Sequence, residues 1–354
     1  MALPAMRAVR NHFPDAHIEL LCDRHEQTNY ILAADLLAPI GLFDGFITYD
    51  VSQRRRGRGS QFADLAPLLR SKRFDTIVYL APSQRNKRQI IRDWMFFRFV
   101  GIKHFLGFRN FRSLPKKRPG ERLPAVPSEG DLLLERLAAD GIKIPERTSR
   151  SIDLALTEQD ERRFLEWSKR CPTDGGRRWI GVGPGCKQPV NRWPRDNYAA
   201  LLTSLVERFD IWPVIFGGPQ DAEIGEFLLR TVGRGYNAAG KLDVRAGAAA
   251  MRRCAVFIGN DTGTMHVAAS AGIPCIGIYA ARQWRGLWEP YTPNKTILRS
   301  EIECEGCGLT ECIVLDRECL RRILPEMVVE ACRQYLESTR SIAPEDSITA
   351  AGVI

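Results

Sequence analysis

Phe257-Ile258-Gly259-Asn260-Asp261-Thr262-Gly263-Thr264-Met265-His266-Val267-Ala268-Ala269 is the stretch that decides how this chain folds. A short apolar run over residues 254–258 stops at Gly259-Asn260. A polar turn follows, then an Ala-rich pattern through Ala271. That order predicts a strand, a tight loop and the start of a helix. The first backbone N–H groups of a helix have no partner within it, and the helix dipole adds positive potential at the same end. Such a loop suits a phosphate. Asp261 sits where an N-cap residue would, and Gly263 lets a ligand approach the backbone closely. His266 falls one turn into the helix, near the same spot.

The surrounding sequence repeats this alternation. Residues 179–182, 212–216 and 275–279 read as strands; 196–209, 222–232, 244–253 and 325–336 read as helices. Three loops follow strands here: 183–187, 217–221 and 259–266. In the first half, 3–13, 61–69 and 131–140 read as helices, and 17–21, 44–49, 74–80 and 102–108 as strands. Residues 52–60 and 112–127 are basic loops. Residues 158–170 read as a helix, and Cys171-Pro172-Thr173-Asp174-Gly175-Gly176 punctuates a junction placed between Arg147 and Gly176. Strands alternating with helices in both halves predict an α/β protein of two Rossmann-like domains, 1–160 and 176–336, with a loose polar tail at 337–354. Ligands in such sheets bind at the carboxyl ends of strands.

The chain has 354 residues, 44% hydrophobic and 26% charged, as in ordinary globular proteins. No apolar run reaches the length of a membrane span, and no signal-peptide pattern opens the chain, so a cytoplasmic location is expected. The ten cysteines are then expected to be thiols. The net charge of +9 is concentrated in residues 1–150, which hold 26 basic against 16 acidic residues. A basic half implies either an acidic partner or a surface kept soluble by charge. Nucleic acid, an anionic lipid surface and a phosphorylated sugar all fit the first option.

Four stretches, in order, resemble glycosyltransferase family 9, the ADP-heptose:lipopolysaccharide heptosyltransferase family. They are Gly183-Pro184-Gly185 with Arg192-Trp193-Pro194, then Phe216-Gly217-Gly218-Pro219, then the opening stretch, then Trp288-Glu289-Pro290-Tyr291 with the cysteines after it. Leu3-Pro4-Ala5-Met6-Arg7-Ala8-Val9 and Phe13-Pro14-Asp15-Ala16 match more loosely. The resemblance implies a GT-B fold, two Rossmann-like domains facing a central cleft. It implies an inverting transfer of a heptose-like sugar from a nucleotide diphosphate, ADP in the family, without a cofactor. The acceptor would be an acidic lipid-linked glycolipid of the lipopolysaccharide core, met by peripheral contact with the inner membrane surface. Nucleic acid is not an expected partner.

Carried over residue by residue, the resemblance places Asp261, Thr262, Gly263 and His266 at the donor diphosphate. Asp261 either caps the helix or accepts a sugar hydroxyl; His266 either contacts the donor or simply packs. Gly185, Lys187 and Arg192 belong to a second phosphate contact. There the family usually has a lysine directly before Arg/His-Trp-Pro, and this chain has Asn191. Asp221 matches an acid near the nucleoside ribose. Ala280-Ala281-Arg282-Gln283 replaces a Gly-Pro-Thr loop of many members, which leaves the sugar open. Arg54, Arg55, Arg56 and Arg58 either grip the acceptor's acidic groups or form a solvated loop.

Cys304, Cys307, Cys312 and Cys319 form C-x2-C-x4-C-x6-C, spaced either for a structural zinc or iron–sulfur site or for thiols packed under the last helix. Family members begin with a strand and a Gly-Asp loop whose Asp is the expected general base, ahead of the helix matched by residues 3–13. A start codon placed too late, a fragment or an inactive relative would each account for a chain that opens on the helix; the first is expected, with upstream in-frame sequence supplying both. Two rival readings remain. One is a non-catalytic sugar-nucleotide or lipid-binding relative. The other is a nicotinamide-dependent enzyme, which would need G-x-G-x-x-G with an acid about 20 residues on; Gly181-Val182-Gly183-Pro184-Gly185 leads instead toward Arg-Trp-Pro.

Overall fold

A computed structural model describes residues 1–24, 31–50, 60–111, 114–118 and 121–337. The helices are α1 (Leu3–His12), α2 (Ala33–Leu37), α3 (Ser60–Lys72), α4 (Lys87–Phe99), α5 (Glu129–Ala139), α6 (Glu158–Ser168), α7 (Arg195–Phe209), α8 (Ala222–Val232), α9 (Val244–Met251), α10 (Gly263–Ser270), α11 (Glu318–Arg321) and α12 (Pro325–Glu337). The strands are β1 (Glu19–Arg24), β2 (Gly45–Asp50), β3 (Thr76–Val78), β4 (His104–Leu106), β5 (Trp179–Gly183), β6 (Trp212–Ile215), β7 (Tyr236–Asn237), β8 (Cys254–Asn260), β9 (Cys275–Ile278) and β10 (Lys295–Leu298).

The second half forms one parallel sheet in the order β10-β9-β8-β5-β6-β7. Its inner strands β5, β6, β8 and β9 are buried on both faces, so they read as nearly continuous apolar runs. Ile180, Val182, Val256 and Ile258 point to one face, packing with Tyr198, Leu201 and Leu205 of α7 and Val328 and Cys332 of α12. Val214, Phe257 and Cys275 point to the other, against Phe164 of α6 and Met265 and Ala268 of α10. Thr157 caps α6 and Asp243 caps α9 through their side chains. Asp210 and Gly233, both left-handed, end α7 and α8.

The first half is also layered, but its strands form two separate parallel pairs, β1-β2 and β3-β4, among the described residues. Ala5, Ala8 and Val9 of α1 and Leu133, Leu134 and Leu137 of α5 pack under Ile18, Val78 and Leu106. Leu65 and Leu69 of α3 and Phe97 of α4 cover Ile47, Ile77 and Phe105 from the other side. Short strands explain why the predicted 74–80 and 102–108 shrink to three residues each. The helix α4 and the strands β7 and β10 were not predicted by the sequence pattern. Among the described residues, no helix is long and apolar enough to cross a membrane. The Arg54–Arg58 run and the tail from residue 338 lie outside the described residues.

Candidate functional site

From β5 the chain moves outward through β6 to β7, then returns to place β8 on the other side of β5. The order reverses between β5 and β8. In an open parallel sheet that reversal leaves a crevice beyond the strands' carboxyl ends. Gly183 and Gly259 face each other in register at those ends. The loops that follow are the two the sequence singled out.

Asn260, fully buried, joins them. Its Oδ1 accepts from the Trp193 N–H at 3.2 Å and the Tyr198 hydroxyl at 3.1 Å, and its Nδ2 donates to the Pro184 carbonyl at 2.8 Å. One side chain thus fixes the Gly183-Pro184-Gly185 turn and the Arg192-Trp193-Pro194 segment against the start of the next loop. Trp193 is held again by a bond from Nε1 to the Ile323 carbonyl at 3.0 Å.

Behind the first turn lies Asp221. Its Oδ2 accepts from the Gly218 N–H at 2.9 Å. A Cβ on Gly185 would come within 2.0 Å of Asp221 Oδ1, and one on Gly217 within 2.4 Å of Oδ2. The glycines are therefore room for this carboxyl. Burial raises its pKa, with the Gly218 bond and Arg192 acting against that. Arg192 is exposed, and its Nε donates to the Cys186 carbonyl at 2.7 Å. Gly185, Arg192 and Asp221 thus form one group. Lys187 is exposed on the same loop.

Asp261, Thr262, Gly263 and His266 form the second group. Asp261 is not the N-cap. The strand β8 runs to Asn260, which delays the helix, and Thr262 occupies the cap position without a side-chain cap bond. The Asp261 carboxyl turns instead toward Asn191, whose Nδ2 donates to Oδ2 and to the Asp261 carbonyl, each at 3.4 Å. Burial pushes its pKa to about 6, while Arg282 and Arg299 pull it down. The start of α10 carries no side-chain cap from Thr262, and a helix N-terminus without one suits an anion.

His266 is close by, with Nδ1 buried and unpartnered. Burial above all, then the Met1 amino group and Lys295, lowers its pKa to about 3. It is a neutral imidazole at neutral pH and offers an anion a hydrogen bond, not a charge.

Arg282 and Arg299 were not predicted as site residues. Arg282, buried, donates from Nε to the Leu309 carbonyl at 2.6 Å and from Nη2 to the Gly308 carbonyl at 3.0 Å. Arg299 pairs with buried Glu305 at 2.9 Å. Arg282 lies in the Ala280-Ala281-Arg282-Gln283 stretch that departs from the family pattern, and that departure was the sequence signal for it. Across the cleft, Tyr291 Oη donates to Asp131 Oδ1 at 2.8 Å, beside Arg150.

The four cysteines, spaced either for a structural metal or for packed thiols, lie close together. Burial raises the Cys304 pKa, as do Cys307, Cys319 and Cys312 in turn, so the four are neighbours. Yet among the described residues no three His, Cys, Asp or Glu side chains are placed to hold a metal ion. Cys319 packs in the core, and Cys312 Sγ accepts from the Arg317 N–H at 3.2 Å.

Paired Rossmann-like layers with a glycine-lined crevice at a strand-order reversal define a GT-B α/β fold. A family model described as glycosyltransferase family 9 (heptosyltransferase) matches residues 95–316, and the chain belongs to that family. It is 28% identical to lipooligosaccharide heptosyltransferase 2 of Haemophilus influenzae over 189 residues, 50% of this chain and 53% of that protein. The chain thus matches about half of that relative's length. Two solved structures share the fold over most of their length. A glycosyl transferase family 9 protein from Veillonella parvula superposes with a TM-score of 0.69 at 22% identity, covering 96% of this chain and 93% of that one. The E. coli ADP-heptose lps heptosyltransferase II superposes with 0.62 at 19%, covering 96% and 95%.

Proposed function

We propose that this protein is a glycosyltransferase that moves a heptose-like sugar from ADP to an acidic lipid-linked acceptor of the lipopolysaccharide core. The observation that carries this is the crevice between β5 and β8, with the uncapped start of α10 on one side and the Gly185–Arg192–Asp221 group on the other. Family membership and the ADP-heptose named for the E. coli structure support a nucleoside diphosphate sugar as its occupant. Asp221, at the back of the first turn, meets the ribose. The N–H groups at Thr262–Gly263 and the Arg192 guanidinium hold the diphosphate. As the glycosidic bond to phosphate breaks, negative charge grows on the leaving oxygen, and preorganised donors stabilise it. Asp261, neutral at mildly acid pH, meets a sugar hydroxyl.

Residues of this chain supply the donor half of the reaction. The basic first half, with Arg54, Arg55, Arg56 and Arg58, attracts the acidic acceptor. The lipid-linked acceptor brings the enzyme to the cytoplasmic face of the inner membrane.

Isothermal titration of the chain with ADP, ADP-sugars and UDP-sugars tests the donor assignment. ADP ligands are expected to bind, and Arg192→Ala to weaken them by about 1.5–3 kcal/mol, the range for a hydrogen bond to a charged group. Absence of binding to any nucleotide would end the proposal. Asn191 in the place of a family lysine favours one second reading, a non-catalytic binding relative. Binding of an ADP-sugar without transfer to any acceptor would select it.

A further inference from the structure

The outer face of α4 takes no part in the donor crevice, and the described residues leave most of it uncovered. Ile91, Trp94, Met95 and Phe99 are 56%, 42%, 59% and 67% exposed there. At about 100° per residue they fall on one face roughly 140° wide, interleaved with exposed Lys87, Arg88 and Arg98. Soluble surfaces seldom gather large apolar side chains in this way unless something covers them. Leu68 and Arg70 of α3 extend the patch: Leu68 is 40% exposed, and the Arg70 guanidinium lies 4.3 Å from the Phe99 ring centroid.

Charge decides what the occupant is. The one acid of α4, Asp93, is buried on the opposite side. Tyr79 Oη donates to it at 2.6 Å, and Arg85 and Arg92 pair with it at 2.5 and 2.6 Å. The helix therefore shows the outside apolar groups and cations with no carboxylate among them. A symmetric contact with a second copy would set this face against itself, cation to cation. An anionic bilayer matches both components. Apolar side chains enter the boundary between headgroups and acyl chains, an indole sits well at that depth, and cations meet lipid phosphates.

We propose that the Ile91–Trp94–Met95–Phe99 face of α4 docks this protein on the surface of an anionic phospholipid bilayer. The inference deepens the proposed function and rests on it only for the lipid-linked acceptor; the surface itself stands on exposure and charge. Docked by α4, the first half lies against the membrane where such an acceptor is held.

Co-sedimentation of the full chain with phosphatidylglycerol-containing vesicles, against phosphatidylcholine vesicles, tests it. The chain is expected to sediment with the first and only weakly with the second. Ile91→Ser/Met95→Ser/Phe99→Ser is expected to lower the bound fraction about tenfold or more, since binding follows buried apolar area. Arg88→Glu/Arg98→Glu is expected to do the same through charge. Both variants replace exposed side chains, so melting temperature and ADP titration should match wild type. A wild-type chain that ignores anionic vesicles overturns the proposal, as does a folded triple variant that sediments unchanged. So does sedimentation velocity showing self-association that the triple variant loses without any vesicle binding, because the face then meets a second copy. ADP binding is read separately, so failure of the donor assignment leaves this result interpretable.

Discussion

The Asp261 carboxyl is poorly solvated: Asn191 offers one amide at 3.4 Å, and Arg282 and Arg299 act without a direct bond. Its folded pKa of about 6 lies above the ordinary 3.8. A group shifted upward binds its proton more tightly in the fold. Its stabilising contribution is complete below pH 3.8 and lost as pH rises through 6. Asp261→Asn should therefore match wild type near pH 4 and exceed it at pH 8. A shift of two units corresponds to about 3 kcal/mol, and water reaching this half-buried loop reduces the expected gain to about 1–2 kcal/mol. Urea unfolding at the two pH values measures it; an equal difference at both contradicts a burial-raised carboxyl. Gly185 is a matter of space. Its alanine variant places a methyl group 2.0 Å from Asp221 Oδ1, so a loss of about 1–3 kcal/mol is expected from overpacking. Asp221→Ala in the same chain removes the obstruction and should restore much of that stability, a coupling that a double-mutant cycle reads directly.

The strand β8 and the helix α10 owe their relative position to Asn260, which ties them to the turn after β5. Asn260→Leu keeps a similar volume but leaves the Trp193 N–H, the Tyr198 hydroxyl and the Pro184 carbonyl short of a partner. A loss of about 2–4 kcal/mol is expected from these orphaned groups, together with weaker ADP binding as the glycine turn comes loose. Normal ADP titration by a destabilised variant would show that the clamp supports the core and not the crevice. The strand, loop and helix around Asp261 were legible in the sequence because they are contiguous and each carries its own period. The clamp was not, since its partners lie 62, 67 and 76 residues away and leave no local pattern. The cap was misplaced because nothing local shows that β8 continues to Asn260. The helix α4 was missed for another reason. Ile90, Phe96 and Phe97 turn toward the protein while Ile91, Trp94, Met95 and Phe99 turn away, so apolar residues occur all round and the 3.6-residue period is hidden. The outward apolar face of that helix and its hidden period share one cause.

Among the contacts that join the two halves is one made by a residue that no sequence motif marks. Buried Arg245 of α9 donates to the Leu36 carbonyl at the end of α2, to the Leu154 and Ala155 carbonyls between α5 and α6, and to Asp160 Oδ2 at 2.8 Å. Its fan of donors reaches three parts of the chain at once, which suits the planar, fixed geometry of a guanidinium. Burial works to raise the Asp160 pKa, but the Arg245 and Thr157 bonds outweigh it and hold the carboxyl below its ordinary range. A depressed carboxyl contributes stability above pH 3.8 that is lost as pH falls through the folded value. Arg245→Met removes the partner and strands a buried carboxylate, for which a cost of about 3–5 kcal/mol is expected at pH 7. The deficit should shrink toward pH 3, where Asp160 is protonated in the variant, and Asp160→Asn should recover part of it at pH 7. Urea unfolding across that range, with tryptophan fluorescence as the probe, gives both numbers. A deficit constant from pH 7 to pH 3 would assign the role of Arg245 to its carbonyl bonds alone, and Asp160→Asn would then recover nothing.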